Sequence, residues 1–317
     1  MLARSVRSGL AETHHDGAVA VSDSDGRLIA STGDVDRPFF LRSSAKPFQA
    51  AVSRRHAVLA PVQLAMACAS HRGLPAQVAI VRGILEGAGL SETDLRCPPA
   101  WPSSESATRR LWRDGHDRPR RIWHNCSGKH SAFLAACVAE GWPTESYLDP
   151  SHPLQREIVE LVSEAGSFDA TPVGVDGCGA PVLRTTARAM ATMFARLGTD
   201  PGFADVYTSM HRYPALVSGN GAGDASIATA VDAVAKGGAQ GCIGVALRSG
   251  LGVAAKSWDG IYEVAVVAAV AALEQVGAVT GFPMERLSEW ARRPVVGGGV
   301  EVGALDPVVE LVREKTP

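Results

Sequence analysis

The sequence predicts a mixed α/β fold of the α+β type, in which a sheet built from the two terminal parts of the chain carries an inserted helical region. Two observations predict it. Short apolar runs separated by turn residues lie near both ends, at Ala18–Ser22 and Arg27–Ser31 and again at Cys242–Leu247 and Gly252–Trp258. Between them the apolar residues recur at helical spacing, in segments opened by proline or serine and closed by glycine. The 317 residues are expected to form a single unit over 1–317, with the sheet drawn from about 8–45 and 240–310 and the helices from about 46–235.

The elements follow in order. Asp23-Ser24-Asp25-Gly26 turns the first pair of runs into a hairpin. Pro38–Arg42 leads into a helix from about Ser43, with Pro47 tolerable in its first turn. Pro61–Ser70 and Pro75–Ala88 read as helices, the second closed by Gly89. Cys97–Arg121, rich in Pro, Ser and Arg, reads as an irregular surface segment. Ser127–Glu140, Pro153–Glu164 and Thr185–Leu197 are helices closed by Gly141, Gly166 and Gly198. Arg248-Ser249-Gly250-Leu251 makes the second hairpin, central because both its strands are apolar. Ile261–Val276 is a buried helix, although its valines also suit a strand. Pro283–Arg292 is helical, and Val300–Ala304 is a final strand.

Composition narrows the function. A net charge of −2, from 31 basic and 33 acidic residues, argues against nucleic acid as a partner, and Arg118-Pro119-Arg120-Arg121 is too short a run to change that. Val264–Leu273 is too short to span a bilayer, so no membrane association is expected. Met1-Leu2-Ala3-Arg4-Ser5-Val6-Arg7 has no apolar stretch behind it, and six cysteines in this length make no disulfide framework. Reduced thiols and a cytoplasmic location are therefore expected.

Only five of the 31 basic residues are lysine: Lys46, Lys129, Lys236, Lys256 and Lys315. Arginine cannot give up its proton at working pH, whereas a desolvated lysine can. A site that needs a neutral amine must use lysine. Lys46 lies in Ser43-Ser44-Ala45-Lys46-Pro47, where a helical i, i+3 spacing sets the amine beside the Ser43 hydroxyl as nucleophile and base. Ser70, in Cys68-Ala69-Ser70-His71, and the later Lys256-Ser257 repeat the order of motifs in serine β-lactamases, though without the usual glycine after the last. His71 alone reads as a structural hydrogen-bonder. Cys126-x-x-Lys129 and Cys178 in Asp176-Gly177-Cys178-Gly179 offer two thiolates that suit a soft metal or, equally, two core cysteines. Cys68, Cys137 and Cys242 read as core, and Gly221-Ala222-Gly223 lacks the last glycine of a dinucleotide fingerprint.

Arg42-Ser43-Ser44-Ala45-Lys46-Pro47, Ser70-His71, His124-Asn125-Cys126-Ser127-Gly128-Lys129-His130, Asp176-Gly177-Cys178-Gly179 and Ala255-Lys256-Ser257-Trp258-Asp259-Gly260 together resemble the rhizobial-type, class 3 "asparaginase II" L-asparaginases, from about Arg7 to Gly277. The resemblance implies a serine-β-lactamase-like fold, a homodimer, and hydrolysis of L-asparagine to L-aspartate and ammonia. It implies two serine–lysine tandems, Ser43 with Lys46 and Ser70 with Lys256, and one zinc ion held by Cys126, Lys129 and Cys178 with water. Arg42, His130 and Asp176 match residues around that site and are expected to bind substrate. Lys236 resembles a family segment without an assigned role. Leu74 and Gln77 depart from the polar residues expected after Ser70, which leaves the pocket rim and the amide preference open. Either tandem could supply the attacking serine. Two other readings stand beside this one: a β-lactamase-like serine hydrolase acting on other amides or esters, and a thiol or zinc sensor without catalysis.

Overall fold

The computed structural model describes residues 1–314. Its main sheet has six strands in the order Val312–Arg313, Leu28–Thr32, Gly17–Ser22, Gly252–Ser257, Cys242–Leu247 and Ala233–Gly238, with antiparallel neighbours throughout. A second sheet of four joins Arg293–Gly297, Val300–Pro307, Ala3–Arg7 and Leu10–His15. Helices occupy the chain between the two sets of strands. The architecture is thus the mixed α/β one expected, with a sheet from both ends around a helical insertion.

Every residue of Gly17–Ser22, Ala233–Gly238, Cys242–Leu247 and Gly252–Ser257 is buried, so both faces of the sheet are covered. Successive side chains alternate between faces. Val19, Val21, Ala235, Ile243, Val245 and Val253 pack with the helix Tyr262–Gln275 in one core cluster. Ala18, Ala20, Val234, Ala246 and Ala254 belong to the other, with the helical region. On this second side the helix Ala187–Thr199 lies directly on the sheet. Gly244 and Gly252 allow that approach: a Cβ on the first would strike the Phe194 ring, and one on the second the carbonyl oxygen of Ala191.

The hairpins, the helix Ser127–Glu140 with Gly141 in the left-handed conformation (φ 67°), and the helix Tyr262–Gln275 fall where the sequence puts them. Other elements differ. The helix expected from Ser43 is a 3₁₀ turn, Arg42–Ala45, followed by an α-helix, Lys46–His56. Proline at 47 would clash with the carbonyl of residue 43 in a continuous α-helix. The segment expected to be irregular contains the helix Glu105–Arg113, opened by the Ser104 hydroxyl accepting from the amide of Ala107 at 3.4 Å. The helix Pro61–Ala67 stops short of Ser70. Pro153–Gly166 is closed by Ser167 (φ 47°), not by Gly166. The Pro283–Arg292 stretch divides into Phe282–Arg286 and Ser288–Ala291. Val300–Pro307 is not the last strand, because Val312–Arg313 follows it onto the main sheet. Ala3–Arg7, Leu10–His15, Ala233–Gly238 and Arg293–Gly297 are strands, and Ala204–Arg212, Pro214–Ser218 and Gly223–Ala230 helices, that the apolar pattern does not reveal.

Gly252→Ala should lower the unfolding free energy by about 2–4 kcal/mol, because backbone must move to admit the methyl group. Gly83→Ala, at a half-buried position of the helix Pro75–Gly87 with no atom near the added Cβ, should be neutral or stabilising by up to about 1 kcal/mol. Urea unfolding of both variants checks the contrast; equal effects would mean that the helix Ala187–Thr199 does not rest on Gly252.

Candidate active site

Lys46 opens its helix, and its side chain is only 1% exposed. Its Nζ donates to the carbonyl of Ala69 at 2.7 Å, to Ser70 Oγ at 3.1 Å and to the carbonyl of Asn125 at 3.4 Å. One amine thereby joins three segments that are far apart in sequence. Burial pushes its pKa below the ordinary lysine value of 10.5, and the charges of Lys236 and Lys129 add to that against the pull of the Cys126 and Cys178 sulfurs.

Ser70 lies in the turn after the helix Pro61–Ala67, and its backbone N–H donates to the carbonyl of Val217 at 2.9 Å. His71 anchors the same turn. Its Nδ1 accepts the Gly73 amide at 3.1 Å, so its proton sits on Nε2 and is donated to Ser127 Oγ at 2.7 Å, while Ser127 donates onward to the carbonyl of Ile122. Burial, helped by the charge of Lys46, pushes His71 down to about 3, so it is a neutral structural bridge. Gly128 allows the close approach of the two helices here, since a Cβ would meet the Met66 carbonyl. A groove of about 480 Å³ beside the Ser70 turn is lined by Arg72, Leu74, Gln77, Arg212, Tyr213 and Leu216, among others.

Ser43 is half-buried in the 3₁₀ turn; its carbonyl accepts the Lys46 backbone N–H, but among the described residues no hydrogen bond joins its hydroxyl to the Lys46 amine. The helix begins at Lys46, so the two do not share an α-helical face. Nor does Lys256 reach Ser70. Its Nζ donates to the carbonyls of Gln240 at 2.5 Å and Ser257 at 2.6 Å, near the rings of Trp258 and Phe39 at 5.5 and 5.7 Å. Burial lowers its pKa as well. Lys236 and Lys256 flank Cys242 on one face of the sheet, since Gly238 and Lys256 both pair with Cys242 and Lys236 stands two residues from Gly238. Lys236, 2% exposed, is with Lys129 one of two lysines whose charge reaches Lys46. The sequence signal for it was its retention as lysine ahead of Gly237-Gly238. Its carboxylate partner Asp224, 3.6 Å away, had none.

Cys126 caps the helix Ser127–Glu140, and Cys178 sits in the turn between the short strands Gly174–Val175 and Pro181–Val182. The fold brings these distant cysteines together. The Cys126 thiol is held well below the ordinary 9.0, first by its hydrogen bond with Cys178, against burial, and further by the charges of Lys46 and Lys129. Lys129 Nζ is 3.4 Å from Cys178 Sγ, and these sulfurs raise its pKa although burial opposes them. Two sulfurs and an amine are donors that suit a soft or borderline ion, and the Lys129–Cys178 distance is near the roughly 3.5 Å between tetrahedral ligands. Among the described residues no group of three His, Cys, Asp or Glu side chains could hold a metal ion, so a site here would have to take the amine as a donor. Arg42, with φ 51°, donates from Nε to Asp176 Oδ1 at 2.7 Å and stays 27% exposed beside the cluster. His130 is wholly buried; its Nδ1 meets Tyr147 Oη at 2.7 Å and burial pushes it down to about 4. It stands behind the site, not at its surface.

The chain matches the family described as L-asparaginase II over residues 3–307. No protein of curated function matches it. Among solved structures it is similar to Mglu in its glutamate form, at 17% identity and TM-score 0.45, covering 87% of this chain and 65% of that one. It is also similar to a β-lactamase from Mycobacterium bovis (15%, TM-score 0.44, 82% of this chain and 94% of that one) and to the probable glutaminase ybaS (17%, TM-score 0.39, 88% and 93%). The chain spans about 65% of the length of the first of these. At such distances no residue role is carried across.

The thiols should differ in reactivity. Burial pushes Cys68, Cys97 and Cys137 up to about 12, whereas Cys126 is held well below 9.0. Treatment of the chelated, native protein with iodoacetamide at pH 7 should modify Cys126 well before those three, read by peptide mass mapping. Equal labelling of all four would contradict the electrostatics described.

Proposed function

The chain belongs to the L-asparaginase II family, and from that premise we propose that it is an L-asparaginase whose proton-transfer base is Lys46. Membership supports an amidohydrolase acting on a small molecule. The observation that carries the finer reading is the buried amine of Lys46, depressed in pKa and 3.1 Å from Ser70 Oγ. A neutral Lys46 takes the proton of a serine hydroxyl as its oxygen attacks the side-chain carboxamide of L-asparagine. The tetrahedral adduct collapses to an acyl-enzyme, the proton leaves with ammonia, and water releases L-aspartate by the reverse path. Ser70 exchanges its proton with Lys46 directly, so it is either the attacking serine or the relay for Ser43. Lys236 adds a charge that helps keep Lys46 poised, and Lys256 remains the lysine that the resemblance pairs with Ser70. Arg42, oriented by Asp176, is the cation available to a substrate carboxylate.

In this reading Cys126, Lys129 and Cys178 hold a zinc ion. Bound zinc would supply a fixed positive charge and a Lewis-acidic position next to the serines. The two thiols and the amine fit it by donor chemistry, and nothing in the serine–lysine steps requires it. A homodimer in the cytoplasm completes the proposal.

Lys46→Ala and Lys46→Arg should each cost on the order of 10³-fold in ammonia release from L-asparagine, because arginine keeps the charge but cannot act as a base. Ser43→Ala and Ser70→Ala, labelled with a serine-directed fluorophosphonate, identify the attacking residue as the one whose loss abolishes labelling. Full activity in Lys46→Arg would remove lysine as the base. The rate should climb from neutral toward alkaline pH as Lys46 loses its proton below the ordinary 10.5; a profile that falls over that range contradicts it. Wild-type protein grown with zinc should carry about one equivalent by elemental analysis, and Cys178→Ser should lose it. Zinc retained in Cys178→Ser would place the metal elsewhere.

A further inference from the structure

A buried carboxylate outside the proposed chemistry links the two sides of the site. Asp224, 3% exposed, lies in the helix Gly223–Ala230. Its Oδ2 accepts from Ser218 Oγ at 2.5 Å and from the Gly237 amide at 3.0 Å, and lies 3.6 Å from Lys236 Nζ. Its Oδ1 accepts from Tyr262 Oη at 3.2 Å and from the Ala225 amide at 3.2 Å. The neighbouring residue, Val217, supplies the carbonyl that holds the Ser70 amide at 2.9 Å. Val217 and Ser218 are therefore fixed at both ends. One residue grips the Ser70 turn and the next is tied by Asp224 to the strand that carries Lys236.

We propose that Asp224 is a positioning residue for the active site, holding Ser70 at its distance from Lys46 through Ser218 and the Val217 carbonyl. This rests on the reading that Ser70 and Lys46 exchange a proton. The segment beyond Ser218 makes such a tie necessary. Ser218-Gly219-Asn220-Gly221-Ala222-Gly223 holds three glycines, two of them at φ 96° and 75°, and has little stiffness of its own. Val217 and Ser218 end the helix Pro214–Ser218, with Val217 in the core; without the Ser218 hydroxyl bond that helix end loses its hydrogen bond to Asp224. The Ser70 turn then keeps only the Val217 contact on that side. Arg72, which packs on Gly219, shares the same dependence. Two of the carboxylate's bonds point elsewhere: Tyr262 approaches Oδ1 from the helix on the far face of the sheet, and the Ala225 amide belongs to Asp224's own helix.

That asymmetry supplies the test. Asp224→Asn leaves Lys236 buried without its counter-charge and is expected to lose stability, so the informative variants are Ser218→Ala and Tyr262→Phe. Each removes one hydrogen bond to the same carboxylate, and Tyr262→Phe also removes the acceptor of the Asp224 amide at 3.3 Å, but only Ser218→Ala breaks the path to Ser70. Ser218→Ala should lower kcat for L-asparagine about 10-fold to 100-fold with KM within about twofold of wild type, while Tyr262→Phe keeps kcat. Thermal unfolding is measured for both, and the rate at which a fluorophosphonate labels the attacking serine, Ser70 or Ser43 relayed through Ser70, is followed by mass spectrometry. If the wild type releases no ammonia from L-asparagine yet Ser218→Ala slows that labelling and Tyr262→Phe does not, the substrate assignment fails and the positioning role stands. Equal kcat and equal labelling rates in all three proteins, or equal losses in the two variants in step with their stability, would overturn it.

Discussion

The site depends on one buried amine. Lys46 is an ordinary helix-opening residue by position, yet its side chain runs inward and finds acceptors on two loops, at Ala69 and Ser70 on one and Asn125 on the other. An ammonium removed from water is costly unless its protons are accepted. Three acceptors answer that need, and they also fix where the loops stand relative to the helix. The same burial that makes the amine a structural tie lowers its pKa and makes it usable as a base. Structure and chemistry here are two consequences of one desolvation.

Electrostatics around that amine are arranged in opposition. Lys129 and Lys236 press the Lys46 pKa down, and the sulfurs of Cys126 and Cys178 press it up. Lys129 sits against Cys178 and keeps a raised pKa, whereas Lys46 faces carbonyls and a hydroxyl and has a lowered one. Two lysines in one buried neighbourhood thus diverge because only one touches sulfur. Divergence of this kind separates an amine fit to bind or balance charge from one fit to carry protons. Arginine, used almost everywhere else in the chain, could balance charge at these positions but could not give up a proton to bind an ion or act as a base.

Much of the fold was legible because its signals are local. The hairpin strands Cys242–Leu247 and Gly252–Ser257 are uninterrupted apolar runs, as strands covered on both faces must be. The helix Ser127–Glu140 carries its own stop signal in Gly141. Ala233–Gly238 was not legible, because Ala-Val-Ala-Lys-Gly-Gly has little strand preference, and only pairing with Cys242–Leu247 makes it a strand. Glu105–Arg113 was hidden by its arginines, which belong to the exposed side of a short helix capped by Ser104. The residue types of the site were visible, since rare lysines and glycine-flanked cysteines stand out. Their partners were not. The i, i+3 spacing pairs Ser43 with Lys46, but Pro47 sets the helix start one turn later and the amine meets Ser70, 24 residues on.

That displacement shows how such a site is held. A nucleophile and base on one helix would be positioned by the helix alone. Here the hydroxyl comes from a turn and the amine from a helix end, and their separation of 3.1 Å is the sum of several weak ties. The His71–Ser127 bridge holds the turn from one side and the Val217 carbonyl from the other. Each tie is a hydrogen bond worth about 1 kcal/mol in stability. Its effect on geometry is larger than its energy suggests, because a shift of about 1 Å is enough to cost a proton transfer most of its rate. Asp224 serves the site in the same way: it meets neither Ser70 nor Lys46, yet it fixes the segment that supports one of them and balances the charge of Lys236 that acts on the other.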